Sequence, residues 1–185
     1  MVEHFGGAAV HYPPGAFGQS NLEIAQLIIE YIRTLIPQGA RLTEFYAGVG
    51  AIGLSLLDLV SEIQLNEVGT HSLHGLELGL AQLDQSDRRK VAVIPGPAGQ
   101  ARLAAADRNV VIADPPRRGL DPELTDFLSE NPPQRFIYVS CGLASFLADC
   151  AKLTSRSKLR LASLTAFNLL PFTEHVETVA CFEQL

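Results

Sequence analysis

Positive charge is in short supply in this chain: fourteen Lys and Arg stand against twenty Asp and Glu, a net charge of −6. Proteins that grip nucleic acid unaided carry a basic footprint that releases phosphate counterions, so RNA contact would need help from another protein or domain. Two basic clusters exist, Arg88-Arg89-Lys90 and Arg117-Arg118, and the first reads as solvated loop charge. Long apolar runs are also missing. None reaches the roughly 18 residues that span a bilayer, and MVEHFGGAAVHYPPG has neither the basic flank nor the apolar core of a signal segment. The expectation is a cytoplasmic chain with no membrane partner. Cysteine is scarce as well: Cys141, Cys150 and Cys181 are odd in number, and eight residues separate the nearest two. That spacing suits neither a disulfide framework nor a metal site, so reduced thiols and no metal are expected. No internal repeat, low-complexity tract or linker is visible. With 185 residues, 47% hydrophobic and 18% charged, the chain fits one globular domain over 1–185, with 1–16 as a lead-in and no separate RNA-binding domain.

What is present is an alternation of strand and helix patterns. Ser20-x-x-Glu23 reads as a capping box before LEIAQLIIEYIRTLI, where Leu27, Ile28, Tyr31, Ile32 and Leu35 fall at helical spacing until Pro37 and Gly39. LTEFY is a short strand, followed by Gly48-x-Gly50-x-x-Gly53 running into the helical pattern IGLSLLDLV. EIQLNE, VAVIPG, NVVIADPP and RFIYVSC continue the strands, and SLHGLELGLAQLDQ, QARLAAA, PELTDFLSE and ASFLADCAKLTS the helices. This predicts a mostly parallel sheet covered on both faces. The end breaks the rhythm: LRLASLTAFNLLPF and VETVACFEQL are joined by a link too short for a helical crossover, so they should pair antiparallel. A sheet of seven strands, mostly parallel and ending in an antiparallel hairpin, is the α/β, Rossmann-like arrangement of class I S-adenosylmethionine methyltransferases.

Chemistry gathers at strand ends. Asp114 closes one apolar run and Cys141 another, and ligands of open α/β sheets collect at the carboxyl ends of strands, so an acid and a candidate nucleophile share a cleft. The glycine loop allows close approach of a ligand, and Glu67, ending the second strand of the unit, can accept ribose hydroxyls. Glycines and acid suit either S-adenosylmethionine or NAD; the terminal hairpin favours the former. Cys150 and Cys181 read as core residues, and Phe136 and Tyr138 as side chains packed against the sheet.

Five segments taken together resemble the catalytic domain of RNA 5-methyluridine methyltransferases: FGQSN at 17–21, EFYAGVGAIGL at 44–54, ADPPRRGL at 113–120, IYVSCGLASFLADC at 137–150 and LLPFTEHVE at 169–177. The resemblance implies S-adenosyl-L-methionine as cofactor, contacted by Gln19, Tyr46, Gly48, Gly50, Glu67 and Asp114, with tRNA or rRNA as substrate. It also implies that Cys141 adds to carbon 6 of uridine and that Glu177 removes the carbon 5 proton after methyl transfer. His175 would orient Glu177 or shape the turn. The chain departs from the family pattern where Gly142-Leu143 replaces Asn-Pro after the nucleophile, at Ala47 and Ala51 in the glycine loop, and in lacking an acid or amide within Ile94-Pro95-Gly96-Pro97. Three other readings stay open: an amine methyltransferase using Asp114-Pro115-Pro116 without a thiol, a non-catalytic domain that binds the donor or a partner protein, and a nicotinamide oxidoreductase.

Overall fold

The structure, a computed structural model, describes residues 1–169 and 176–185. The strands are β1 (Val2–Phe5), β2 (Ala8–His11), β3 (Ala40–Phe45), β4 (Val60–Glu67), β5 (Val91–Pro95), β6 (Val110–Ala113), β7 (Arg135–Ser140), β8 (Leu159–Phe167) and β9 (Glu177–Gln184). The helices are α1 (Leu22–Leu35), α2 (Ala51–Leu54), α3 (Thr70–Leu80), α4 (Gln85–Arg88), α5 (Ala98–Ala101), α6 (Pro122–Glu130) and α7 (Leu143–Arg156), with a 3₁₀ turn over Arg102–Ala105.

Seven strands form one sheet in the order β5-β4-β3-β6-β7-β9-β8. The first five pair in parallel, and β9 pairs antiparallel with both β7 and β8. The predicted sheet is therefore present. The chain passes from β7 through α7 to the edge strand β8 and then returns inward, so β9 lies beside β7. Four buried residues in a row make up β6, as expected of a central strand covered on both faces. Val110 and Ile112 join Ile28, Ile32, Leu42 and Leu76 on one side, while Val111 and Ala113 join Leu124, Phe136, Tyr138 and Phe146 on the other. Each large side chain removed from water contributes about 1.5–3 kcal/mol, and the period of two divides that stabilisation between the layers.

Several local expectations change. Asn21, not Ser20, caps α1: its Oδ1 accepts from the Ile24 N–H at 3.2 Å, while its Nδ2 donates to the Leu169 carbonyl. The buried stripe of α1 is Ala25, Ile28, Ile29 and Ile32, with Leu27 outward. Two apolar registers overlap in Leu27-Ile28-Ile29, and packing on the sheet selects one. The helix expected over 52–60 is a single turn, because the Arg33 guanidinium captures the Ser55 carbonyl and the Asp58 carboxylate and the chain turns back into β4. SLHGLELGLAQLDQ also stops early, at Leu80, and Asp84 caps the separate α4.

Residues 1–16 are more than a lead-in. β1 and β2 form an antiparallel hairpin across Gly6-Gly7, both at positive φ as a tight two-residue turn demands. Phe5, Val10 and Tyr12 are buried in the same core as α1 and α3. Gly75 lets β2 approach: a Cβ there would lie 2.4 Å from the His11 carbonyl oxygen. Among the described residues no helix is long and apolar enough to cross a membrane.

Candidate active site

At the carboxyl ends of β3 to β7, where the sheet order runs from β3 to β4 on one side and to β6 on the other, lies a cavity of about 810 Å³. This is the switch point at which open α/β sheets take their ligands. Gln19, Tyr46, Gly48, Glu67, Asp114, Cys141 and Glu177 all line it. Gly50, also expected to contact a cofactor, is not among the residues lining the cavity. Its φ is +86°, and a Cβ would lie 2.7 Å from Leu76, so it serves packing. Gly53 is similar, with a Cβ that would meet Leu65 at 2.4 Å. Gly48 alone of the three faces the cavity, at φ +59° with open space where a Cβ would stand.

At one end, backbone amides hold an acid. The Glu67 carboxylate accepts from the N–H groups of Gly48 at 2.7 Å, Val68 at 2.8 Å and Gly69 at 2.6 Å. Asn66 donates to the carbonyls of Ile94 and Gly96, which fixes the turn after β5. The cavity there is lined by Gly96, Pro97 and Ala98, a slot without the acid or amide that the resemblance led one to seek. Tyr46 adopts φ +61°, and its hydroxyl accepts from the Asp121 N–H at 2.9 Å, tying the end of β3 to the loop after β6. A bulky residue in that conformation costs on the order of 1–3 kcal/mol, which the surrounding contacts must offset.

At the other end, three reactive side chains converge. Asp114 follows β6 and Cys141 follows β7. Glu177 opens β9, and the register Ser140↔Thr178, continued by one residue, brings it beside Cys141. Burial pushes the Glu177 carboxyl up to about 7. Burial, followed by repulsion from Glu177, raises Asp114 to about 8. The Cys141 thiol is raised by burial, then by Glu177 and Asp114, while Arg117 opposes the shift.

The loop carrying Asp114 is braced from below. The buried Asp149 accepts from the Tyr138 hydroxyl at 2.8 Å and the Leu120 N–H at 2.9 Å. Ser145 Oγ donates to the Arg117 carbonyl at 2.8 Å. This packing accounts for Gly142, because a Cβ there would stand 2.7 Å from the Arg117 oxygen. Tyr138 thus has a polar task beyond the packing expected of it. Cys181 is buried as expected, and Cys150 is only partly so. His175 and the rest of residues 170–175 lie outside the described residues.

Sequence reading missed Glu44. It lies in β3 with 1% exposure, and its Oε2 has no hydrogen-bond partner among the described residues. Burial, then Asp114 and Glu67, hold its carboxyl well above the usual range. The available signal was an acid inside the apolar run LTEFY, one step before the glycine loop. Tyr12 and Phe17, from the segment preceding α1, also line the cavity.

Comparison with known proteins bears on the whole arrangement. Residues 99–184 match the family model described as tRNA (Uracil-5-)-methyltransferase. An uncharacterized RNA methyltransferase of Protochlamydia amoebophila is 31% identical over 184 residues, covering 100% of this chain and 48% of the relative. A 23S rRNA (uracil(1939)-C(5))-methyltransferase of Alkalilimnicola ehrlichii is 29% identical over 188 residues, covering 96% of this chain and 40% of the relative. The Pyrococcus abyssi tRNA (uracil-54, C5)-methyltransferase, solved in complex with S-adenosyl-L-homocysteine, superposes with a TM-score of 0.84 at 22% identity, over 98% of this chain and 44% of that one. The fold is the Rossmann-like one of class I methyltransferases. The chain spans less than half the length of these relatives, and over residues 99–184 it is similar to the RNA uracil-C5 methyltransferases.

Proposed function

We propose that this chain carries the catalytic part of an S-adenosylmethionine-dependent RNA methyltransferase acting on carbon 5 of uridine, in tRNA or rRNA. The observation that carries the reading is one cavity with a backbone-held acid, Glu67, at one end and Cys141 beside Glu177 at the other. The cavity volume falls within the range of ordinary ligand sites. Its donor set fits the cofactor: Glu67 would take the ribose, Gly96 to Ala98 the adenine, and Gln19, Tyr46 and Asp114 the methionine portion. When bound, S-adenosylmethionine supplies an electrophilic methyl group.

Cys141 answers the central difficulty, which is that carbon 5 of uracil is a poor nucleophile. Its sulfur adds to carbon 6, and the displaced electron pair enriches carbon 5. Since burial and two acids raise the thiol, its proton passes to solvent as the carbon–sulfur bond forms, which leaves Glu177 free for the later step. Glu177 then removes the carbon 5 proton, the ring double bond is restored, and the thiolate departs. A carboxyl at about 7 suits a base working near neutral pH. The target uridine must be unpaired or flipped from its stack. Because the net charge is −6, RNA is held by a partner protein or by family segments outside this sequence.

The test is a trap. RNA containing 5-fluorouridine should form a covalent complex with the protein only when S-adenosylmethionine is present, because fluorine cannot leave as a proton. Cys141→Ala should abolish the complex and all turnover. Full methyl transfer by that variant would sink the thiolate route and favour the amine reading.

A further inference from the structure

Acids crowd the cavity. Glu44 from β3, Asp114 after β6 and Glu177 from β9 all line it, with β3 beside β6 and with β6 and β9 on either side of β7. Burial governs Glu177, and burial followed by repulsion from Glu177 governs Asp114. Like charges in a water-poor crevice cannot all ionise together, so such groups share protons and titrate as a unit.

The other ionisable groups lining the cavity among the described residues are as follows. Glu67, from β4, is held by three backbone amides. From the loop after β6, Arg118 pairs with Asp121 at 3.2 Å, leaving Arg117 as the cation near Cys141. The phenols of Tyr12 and Tyr46 are pushed up to about 12 by burial and stay neutral. The Cys141 thiol is raised and stays protonated at rest. Near neutral pH, the groups of this set left to exchange protons are the three acids.

We propose that Asp114 and Glu177, backed by Glu44, form one proton-sharing acid pair that senses the charge of the methyl donor. The pair releases a proton when the cationic sulfonium form binds and holds one when the neutral thioether product is bound. This rests on the donor assigned under Proposed function. It gives Asp114 and Glu44 a task in timing: Glu177 is an anion while the donor's positive charge is near, and its proton affinity rises once that charge has gone. The atoms balance. The carbon 5–hydrogen bond breaks, its electron pair rebuilds the carbon 5–carbon 6 double bond, the carbon 6–sulfur pair returns to Cys141, and the proton lands on the acid pair. Cys141 gives its thiol proton to solvent on adding to carbon 6 and regains one from solvent when the thiolate departs, so the one net proton lost per turnover is the one shed on donor binding.

The experiment is calorimetric titration of the full chain with S-adenosylmethionine and, separately, S-adenosylhomocysteine, from about pH 6 to about pH 9, in two buffers of different ionisation enthalpy. Affinity for the cationic donor should climb with pH, approaching about tenfold per unit for one linked proton, and should level off above about 8. The neutral product should bind with a nearly flat profile, and buffer-dependent heat should show proton release with the donor alone. Asp114→Asn and Glu177→Gln should each shrink that difference, although the unaltered protein suffices for the comparison. Parallel pH profiles and equal proton counts for the two ligands overturn the acid pair while leaving the cofactor assignment standing. Failure of both ligands to bind overturns the cofactor assignment and this inference with it.

Discussion

Glu67 and the Asp114–Glu177 pair are carboxylates at opposite ends of one cavity, and the protein treats them in opposite ways. Glu67 meets three fixed N–H groups, so its position and its role as an acceptor are set by backbone geometry. Asp114 and Glu177 are raised by burial and, at Asp114, by like charge, so their protonation changes near neutrality. The difference teaches how one sheet assigns its acids. Where a strand end turns through a glycine loop, free amides are at hand to hold an acceptor. Where three other strand ends converge without such a loop, burial leaves acids poised for proton transfer.

The contrast can be tested, beginning with the largest expected effect. Glu177→Gln should slow release of methylated product by about 10²–10⁴-fold, the usual worth of a positioned base. Single-turnover assays should show methyl transfer persisting while a covalent adduct accumulates on ordinary uridine, and unchanged release would reassign the base. Next comes stability. The raised carboxyls of Asp114 and Glu177 keep protons in the folded state that an unfolded chain loses above the ordinary carboxylate range. The unfolded state therefore binds fewer protons, and stability falls as pH climbs toward about 7 and about 8. Unfolding free energies from urea titrations at about pH 5 and about pH 8.5 should differ by on the order of 2–4 kcal/mol, and Asp114→Asn should flatten the profile.

On the amide-held side, Glu67→Ala should weaken S-adenosylhomocysteine binding by on the order of 1.5–3 kcal/mol, about tenfold or more. Equal affinity by calorimetry would remove Glu67 from the ribose. The smallest effect lies outside both groups: Asn21→Ala should cost about 1 kcal/mol through the lost cap, whereas Ser20→Ala should stay within about 0.5 kcal/mol in thermal melts.

Much of this was legible in the residues. NVVIADPP and RFIYVSC mark strands by continuous apolar character, and each passes its functional residue to the following loop because the apolar run ends there. PELTDFLSE matches α6 residue for residue, with Pro122 at the start of the helix, where a missing N–H costs nothing. The N-terminal hairpin was announced by Gly6-Gly7, but four-residue strands carry too little periodicity to be read. Glu44 stayed hidden because an acid within a strand reads as an outward-facing residue until both neighbouring strands are in place. Gly48, Gly50 and Gly53 look equivalent in sequence, yet only the packing of Leu76 and Leu65 against the latter two tells packing from ligand contact.

The sequence by itself determined the order of strands and helices, the antiparallel ending and the identities of the chemical groups, since these follow from local periodicity, turn residues and side-chain type. Tertiary structure alone decided which groups meet and in what charge state. Cys141 and Glu177 lie far apart along the chain and become neighbours only because β9 inserts between β7 and β8. Asp114 and Glu177 carry raised carboxyls because the fold withdraws water from both and, at Asp114, adds the charge of Glu177. Desolvation and proximity are properties of three-dimensional packing, which no pattern along a single chain encodes locally.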